Sequence, residues 1–184
     1  MQSDSELYQG FLAGRDEYLE QLMALYGDEL MYYINGYIHD LDDSEDLMIE
    51  AFARIMLKRP KIEEGKFKAY LFKTGRHLAA RFHSIFSRAE VFNIDDLEME
   101  PADPEILEES VAGEEQKEAL RECIHRLDHD MQEAIWLVYF RGMSYRDAAT
   151  VMQVTEKRID HLLDRSKKKL REEMEKEGYS RGPG

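Results

Sequence analysis

Cysteine is almost absent from this chain. Cys123 stands alone among 184 residues, so an internal disulfide is excluded and a reducing compartment is expected. Long apolar runs are missing as well. No stretch approaches the ~20 residues of a membrane-spanning helix, and the opening MQSDSELYQG is polar and acidic, unlike a secretory signal. The expected location is the cytoplasm. The alternation of apolar and polar residues that marks a half-buried strand is not seen. Glycine-rich phosphate loops and nucleophile elbows are lacking too. Cys123, His125 and His129 offer too few ligands for a metal site. The carboxylates Asp42, Asp43, Glu45 and Asp46 lack the glycine and the spacing of a calcium loop. No catalytic site and no cofactor is expected, so the chain does not read as an enzyme.

Positive charge is scarce overall but strongly segregated. Against 25 basic residues stand 39 acidic ones, a net charge of −14. Met1 to Ala53 holds one basic residue, Arg15, and thirteen acidic ones; Arg54 to Arg88 holds ten basic and two acidic. Ala89 to Gly113 holds nine acidic residues and no basic one, and Glu114 to the end is nearly balanced, with fourteen basic and fifteen acidic. So acidic a protein is repelled by duplex DNA as a whole. The segregation suits a chain that meets partners of both signs, with DNA binding dependent on a second protein.

What is present is a helical pattern throughout, organised around GMSYRDAATVMQVTEKRIDHLLDRSKKKLR, Gly142 to Arg171. Ser144 is an N-cap candidate with Asp147 in the capping-box position, and Gln153 and Val154 break the helix it opens. Thr155 caps a second helix with an apolar stripe of Ile159, Leu162, Leu163 and Leu170. Two short helices with Ala149 near their crossing form a helix-turn-helix, whose second helix enters the major groove by its N-terminal end. The DNA-facing set is then Tyr145, Thr155, Lys157, Arg158 and His161, with Arg165, Lys167, Lys168 and Lys169 placed for phosphates. A helical hairpin with a solvated basic face fits the same spacing.

The remaining elements follow in order. A short helix spans Ser5 to Leu12. A long one spans Asp16 to Ile38, with a core face of Tyr18, Leu22, Leu25, Leu30, Tyr33, Ile34 and Tyr37 and a possible break at Gly27. Ser44 is expected to cap a helix from Glu45 to Lys58, with Leu47, Ala51, Phe52 and Ile55 inward, ending before Pro60. Gly65 to Phe86 alternates basic and aromatic residues, a composition suited to single-stranded nucleic acid. Its buried side chains by spacing are Phe67, Leu71, Leu78 and Phe82, and Gly75 marks close packing. Pro101, Pro104, the acidic run and the lack of periodicity make 89–113 a linker in which Leu97, Ile106 and Leu107 have the means to dock. Helices resume at Glu114, and the tail after Glu172 is expected to fray. The chain is thus expected to be all-α, with two helical domains at 1–88 and 114–184 joined by an acidic linker at 89–113.

In this order the residues resemble the bacterial RNA polymerase sigma factors, specifically the small extracytoplasmic-function group. DDSEDLMIEAFARIM, Asp42 to Met56, is similar to the family's region two helix, D-A-E-D-L-x-Q-E-x-F. FKAYLFKTGRHLAARF, Phe67 to Phe82, is similar to its promoter-melting helix, with Tyr70 where tryptophan is common. LDHDMQEAIWLVYFRGMSYRDAATVMQVTEKRIDHLLDRSKKKLR, Leu127 to Arg171, resembles region four. Several positions depart from the family pattern: Ile49 for glutamine, His77 and Arg81 for asparagine and aspartate, Asp128 for proline, Gln153 for the turn glycine, and Lys157-Arg158 for glycine-threonine. The resemblance implies a dissociable polymerase subunit. Region two would dock on the clamp helices of core RNA polymerase through Asp43, Asp46, Glu50 and Arg54. It would open promoter DNA along Lys66, Lys68, Tyr70, Lys73, Arg76, His77 and Arg81. Region four would bind the polymerase flap and read the upstream promoter element, and the acidic linker would run through a basic channel of the enzyme. An anti-sigma factor is a further implied partner. The competing reading is a stand-alone helix-turn-helix regulator with an effector- or protein-binding N-terminal domain, and run-off transcription separates the two.

Overall fold

A computed structural model of the chain describes residues 2–86, 92–94, 97 and 113–179, with the side chains of 85 and 86 excepted. Ile106 and Leu107 lie outside that set. The described residues form helices and no strand, in two compact units: 1–90 with Thr150–Met152, and 91–149 with 153–184.

In the first unit four helices follow one another: α1 (Asp4–Leu12), α2 (Glu17–Ile38), α3 (Leu41–Lys58) and α4 (Phe67–Phe86). Ser3 and Glu6 close α1 with a reciprocal capping box. α2 packs against α3 and α4, and α1 closes over α2 and α4. Leu22, Leu30, Tyr33 and Ile34 of α2 are fully buried, as are Leu71 and Phe72 of α4. Gly75 is what lets α4 lie close on α2: a Cβ there would sit 2.7 Å from Leu30 Cδ1 and 3.3 Å from Ile34.

Several expectations are corrected in this unit. α3 begins at Leu41 under an Asp40 cap, whose carboxylate accepts from the Asp43 amide at 3.0 Å. Ser44 is inside the helix, buried, and donates to the Asp40 carbonyl at 2.6 Å. The acidic loop offers several cap-competent residues, and the burial of Ser44 decides among them. α2 runs without interruption through Gly27, and Leu25 points outward, 48% exposed. Met48 takes the core place expected for Leu47, and in α4 His83 is buried while Phe82 is half-exposed. The His83 ring can be buried because its Nε2 bonds the Tyr37 carbonyl at 2.7 Å.

The second unit contains α5 (Glu114–His125), α6 (His129–Ile135) continuing into a π-helical turn (Trp136–Phe140), α7 (Tyr145–Met152) except for its last three residues, and α8 (Glu156–Lys176). α8 packs on α5 and α6. Trp136, Leu137 and Ala134 are fully buried. Phe92, Ile94 and Leu97, which the acidic run and prolines group with the linker, are buried here. Gln132 fastens this segment: its Oε1 accepts from the Ile94 amide at 3.1 Å while its Nε2 donates to the carbonyls of His125 and Leu127 at 3.0 and 2.9 Å. His129 Nδ1 adds a bond to the Phe92 carbonyl at 2.6 Å. The tail does not fray at Glu172. α8 continues to Lys176, and Met174 packs with Ala119 and Cys123, joined by the partly buried Leu170 and Tyr179. That burial holds the last turns in place and seals the Cys123 thiol.

Candidate nucleic-acid interface

The helix-turn-helix is built as its caps require. Ser144 Oγ accepts from the Asp147 amide at 3.0 Å to open α7, and Thr155 Oγ1 accepts from the Arg158 amide at 3.1 Å to open α8. Between them Gln153 adopts a left-handed backbone, φ +55°, and its neighbour Val154 donates back to the Ala149 carbonyl at 3.0 Å. Ile159, Leu162, Leu163 and Ser166 are buried and fix which side of α8 faces outward.

The expected DNA-facing residues separate into rows along α8. Lys157, His161 and Lys168, at steps of four and seven, are exposed on the outward side. Arg158, Arg165 and Lys169, at steps of seven and four, form a second row along the edge nearer the start of α6. Two of these three are already engaged. Arg158 Nη2 lies 3.7 Å from Asp130 Oδ2, and Lys169 Nζ lies 3.1 Å from Asp128 Oδ2. On the other edge Tyr145 is half-buried beside Tyr139. Burial, then the neighbouring Tyr139, push the Tyr145 hydroxyl above its ordinary range. A hydrogen bond to Tyr139 holds the Lys167 ammonium charged above its usual range, with Nζ 5.7 Å from the Tyr139 ring centre. Tyr145 is thus tied into a lateral cluster with Tyr139, a residue with no signal in the helix-turn-helix spacing. Thr155 is exposed at the cap.

The basic aromatic helix α4 resolves in the same manner. Its rings turn mostly into the core, with Phe67 and Phe72 buried. Tyr70, Lys66, Lys73, His77 and Arg81 share the outward side, with His77 and Arg81 exposed and the other three half-buried. Lys68 and Arg76 do not join them. Lys68 Nζ pairs with Glu29 Oε2 at 2.8 Å and lies 5.5 Å from the Tyr26 ring centre. Arg76 Nε donates to the Tyr37 hydroxyl at 3.1 Å and its guanidinium rests over that ring. Both anchor α4 to α2.

On α3, Asp43, Asp46, Glu50 and Arg54 follow one another along one face. Asp46 and Glu50 are exposed, Asp43 and Arg54 half-buried. Arg54 binds Glu50 Oε1 through Nε at 3.0 Å and Nη2 at 2.6 Å. Beside this charged row stand apolar residues the core does not use: Ile49, Met56 and Leu57, the last 79% exposed. A helix that leaves this much apolar surface in water next to an ordered charge pair has the composition of a docking face.

The profile of sigma-70 region 2 matches residues 22–84, which run from α2 through α4, and that of sigma-70 region 4 matches 117–170, which run from α5 into α8. The chain is 23% identical over 153 residues to the ECF RNA polymerase sigma factor SigM of Bacillus subtilis, covering 83% of this chain and 93% of that protein. Among solved structures, CnrH in complex with the cytosolic domain of CnrY shares the fold with a TM-score of 0.60 at 20% identity, over 91% of this chain and 94% of that one. The sigma factor RpoE of Bartonella quintana, solved with the anti-sigma factor NepR, gives 0.54 at 23% identity, over 85% and 96%. With both sigma-70 regions present in order on a single all-helical chain, the protein belongs to the RNA polymerase sigma factors of the extracytoplasmic-function type, which are transcription initiation factors.

Proposed function

We infer that the protein binds core RNA polymerase, directs it to promoter DNA and promotes strand opening, with the chemistry left to the polymerase. The single observation that carries this reading is the occurrence of both sigma-70 regions, in order, on one chain. In this reading the first domain, 1–88, docks on the polymerase clamp through the α3 face of Asp43, Asp46, Glu50 and Arg54, with Ile49 and Leu57 supplying apolar area. Tyr70, Lys73, His77 and Arg81 hold the displaced strand, stacking and pairing as single-strand binders do. Lys66 belongs to that row. The second domain, 114–184 together with the buried Phe92, Ile94 and Leu97, reads the upstream element with Lys157, Arg158 and His161 and places Arg165, Lys168 and Lys169 on phosphates. The acidic segment 89–113 offers nine negative charges to a basic channel.

Among the described residues no helix is long and apolar enough to cross a membrane. In this reading the protein works on chromosomal DNA with polymerase, in the cytoplasm. CnrH was solved with the cytosolic domain of CnrY and RpoE with the anti-sigma factor NepR; a partner of the anti-sigma kind for this chain follows from that likeness. Run-off transcription with purified core polymerase tests the whole reading. Specific initiation only when the protein is added is the expected result, and binding of DNA without any need for polymerase would point instead to a stand-alone regulator.

A further inference from the structure

The cations of the recognition helix are not equally available. Lys157, His161 and Lys168 face outward, whereas Arg158 and Lys169 are each paired with a carboxylate at the start of α6. The two pairs lie eleven residues apart on α8, three helical turns along one edge. Asp128 occupies the N-cap of α6, where an aspartate ordinarily accepts from an amide of the first turn. Here the side chain makes no such bond, and the carboxylate reaches Lys169 at 3.1 Å instead. Asp130, in the first turn, faces Arg158 at 3.7 Å. Asp128 and Asp130 are 64% and 63% exposed at the side chain, so neither is held there by burial.

We propose that Asp128 and Asp130 are specificity-determining residues that mask one edge of the recognition helix from DNA phosphates. This rests on the reading of α8 as the promoter-recognition helix. A phosphate approaching that edge must displace a carboxylate already in place and meets its repulsion. Non-specific association, which depends almost entirely on phosphate neutralisation, is weakened most. Specific association loses less, because the outward row remains open and a guanine edge offers Arg158 a bidentate geometry that one carboxylate oxygen at 3.7 Å does not supply. The carboxylates thus lower affinity for random sequence and widen the gap to the promoter.

The test uses reconstituted holoenzyme and two duplex probes of equal length: one selected by the wild-type holoenzyme from a pool randomised at the upstream element, one of scrambled sequence. Asp128→Asn with Asp130→Asn should tighten binding to the scrambled duplex by up to about fivefold per pair released. Its salt dependence should steepen by about 0.9 for each phosphate newly engaged. Binding to the selected duplex should change less, so the ratio between the probes falls. Asp130→Glu, which keeps the charge, should restore the ratio when paired with native Asp128. Unchanged affinities and slopes for both probes overturn the masking role, as does a loss on both, which would make the carboxylates positioning groups. A wild-type holoenzyme that selects no sequence from the pool overturns the promoter-reading assignment of α8 itself, and the masking role with it.

Discussion

Tyr8 donates its hydroxyl to the carbonyl of Pro60, 52 residues further along the chain, at 2.5 Å. Its ring is buried and lies 5.1 Å from that of Phe67, centre to centre. One side chain of α1 therefore fastens the connection between α3 and α4.

Replacing Tyr8 by Phe keeps the ring contact and leaves the Pro60 carbonyl without that donor. A loss of about 1–3 kcal/mol in unfolding free energy is expected, read by denaturant titration. The pH dependence is distinctive. Burial, then the nearby Tyr70, push the Tyr8 hydroxyl up to about 12, against roughly 10 in an unfolded chain. The stability that Tyr8 contributes is complete below pH ~10 and is lost as pH rises through about 12, because the unfolded chain ionises first. The difference between wild type and Tyr8→Phe should therefore shrink over that interval, and a constant difference would show that the hydroxyl is not buried as described.

Gly75→Val should destabilise the first unit by about 1–3 kcal/mol through overpacking, since even a Cβ meets Leu30 at 2.7 Å. Thermal unfolding of the full chain checks this. An unchanged melting temperature would mean that α4 and α2 are not in such close contact.

Gln153→Gly should do the opposite. A non-glycine residue in the left-handed region costs roughly 1–2 kcal/mol, and Gln153 sits there at φ +55°. A gain of about 1 kcal/mol is expected, raising the melting temperature of the second unit by several degrees. A decrease would show that contacts of the glutamine side chain outweigh its backbone strain.

Asp46→Arg with Glu50→Arg should abolish co-purification with core polymerase, and Leu57→Ser should weaken it, without lowering thermal stability. The second outcome follows from exposure: at 79%, Leu57 contributes little to the folded chain itself. Stability loss accompanying weaker binding would assign the α3 face to the core instead.

Tyr70→Ala should cost about 1–3 kcal/mol of single-strand stacking, seen as less permanganate-reactive open complex with closed-complex binding retained. His77→Ala and Arg81→Ala should act in the same direction. Equal loss of both complexes would place Tyr70 in the core with Tyr8.

Much of this arrangement was legible in the sequence because it is periodic or capped. The helix-turn-helix follows from Ser144 and Thr155, whose hydroxyls accept the expected first-turn amide bonds. The helical cores of α2, α3 and α4 follow from spacing, though single positions differ by one, as Met48 for Leu47 in α3 and His83 for Phe82 in α4. Periodicity cannot say which of two adjacent residues turns inward, whereas a carbonyl partner such as that of Tyr37 can. The α3 cap is not legible in the sequence because Asp40, Asp42, Asp43 and Ser44 are all competent and tertiary burial chooses. Lys68 and Arg76 look like their neighbours in a list of cations; only Glu29 and Tyr37, distant in sequence, divert them. The pairing of Arg158 and Lys169 with Asp130 and Asp128 left no local signal for the same reason.

The residues from Phe92 to Ile94 carry a practical meaning for exchanging parts between relatives. Composition would place a cut at Glu114, yet Gln132 and His129 spend their side chains on the Ile94 amide and the Phe92 carbonyl. A promoter-reading half transplanted from Glu114 onward would arrive with those groups vacant and with Trp136 stripped of its Phe92 neighbour. The transferable module includes Phe92 and Ile94. Chimaeras that carry both should keep their own stability, while those joined at Glu114 inherit a wound in the graft.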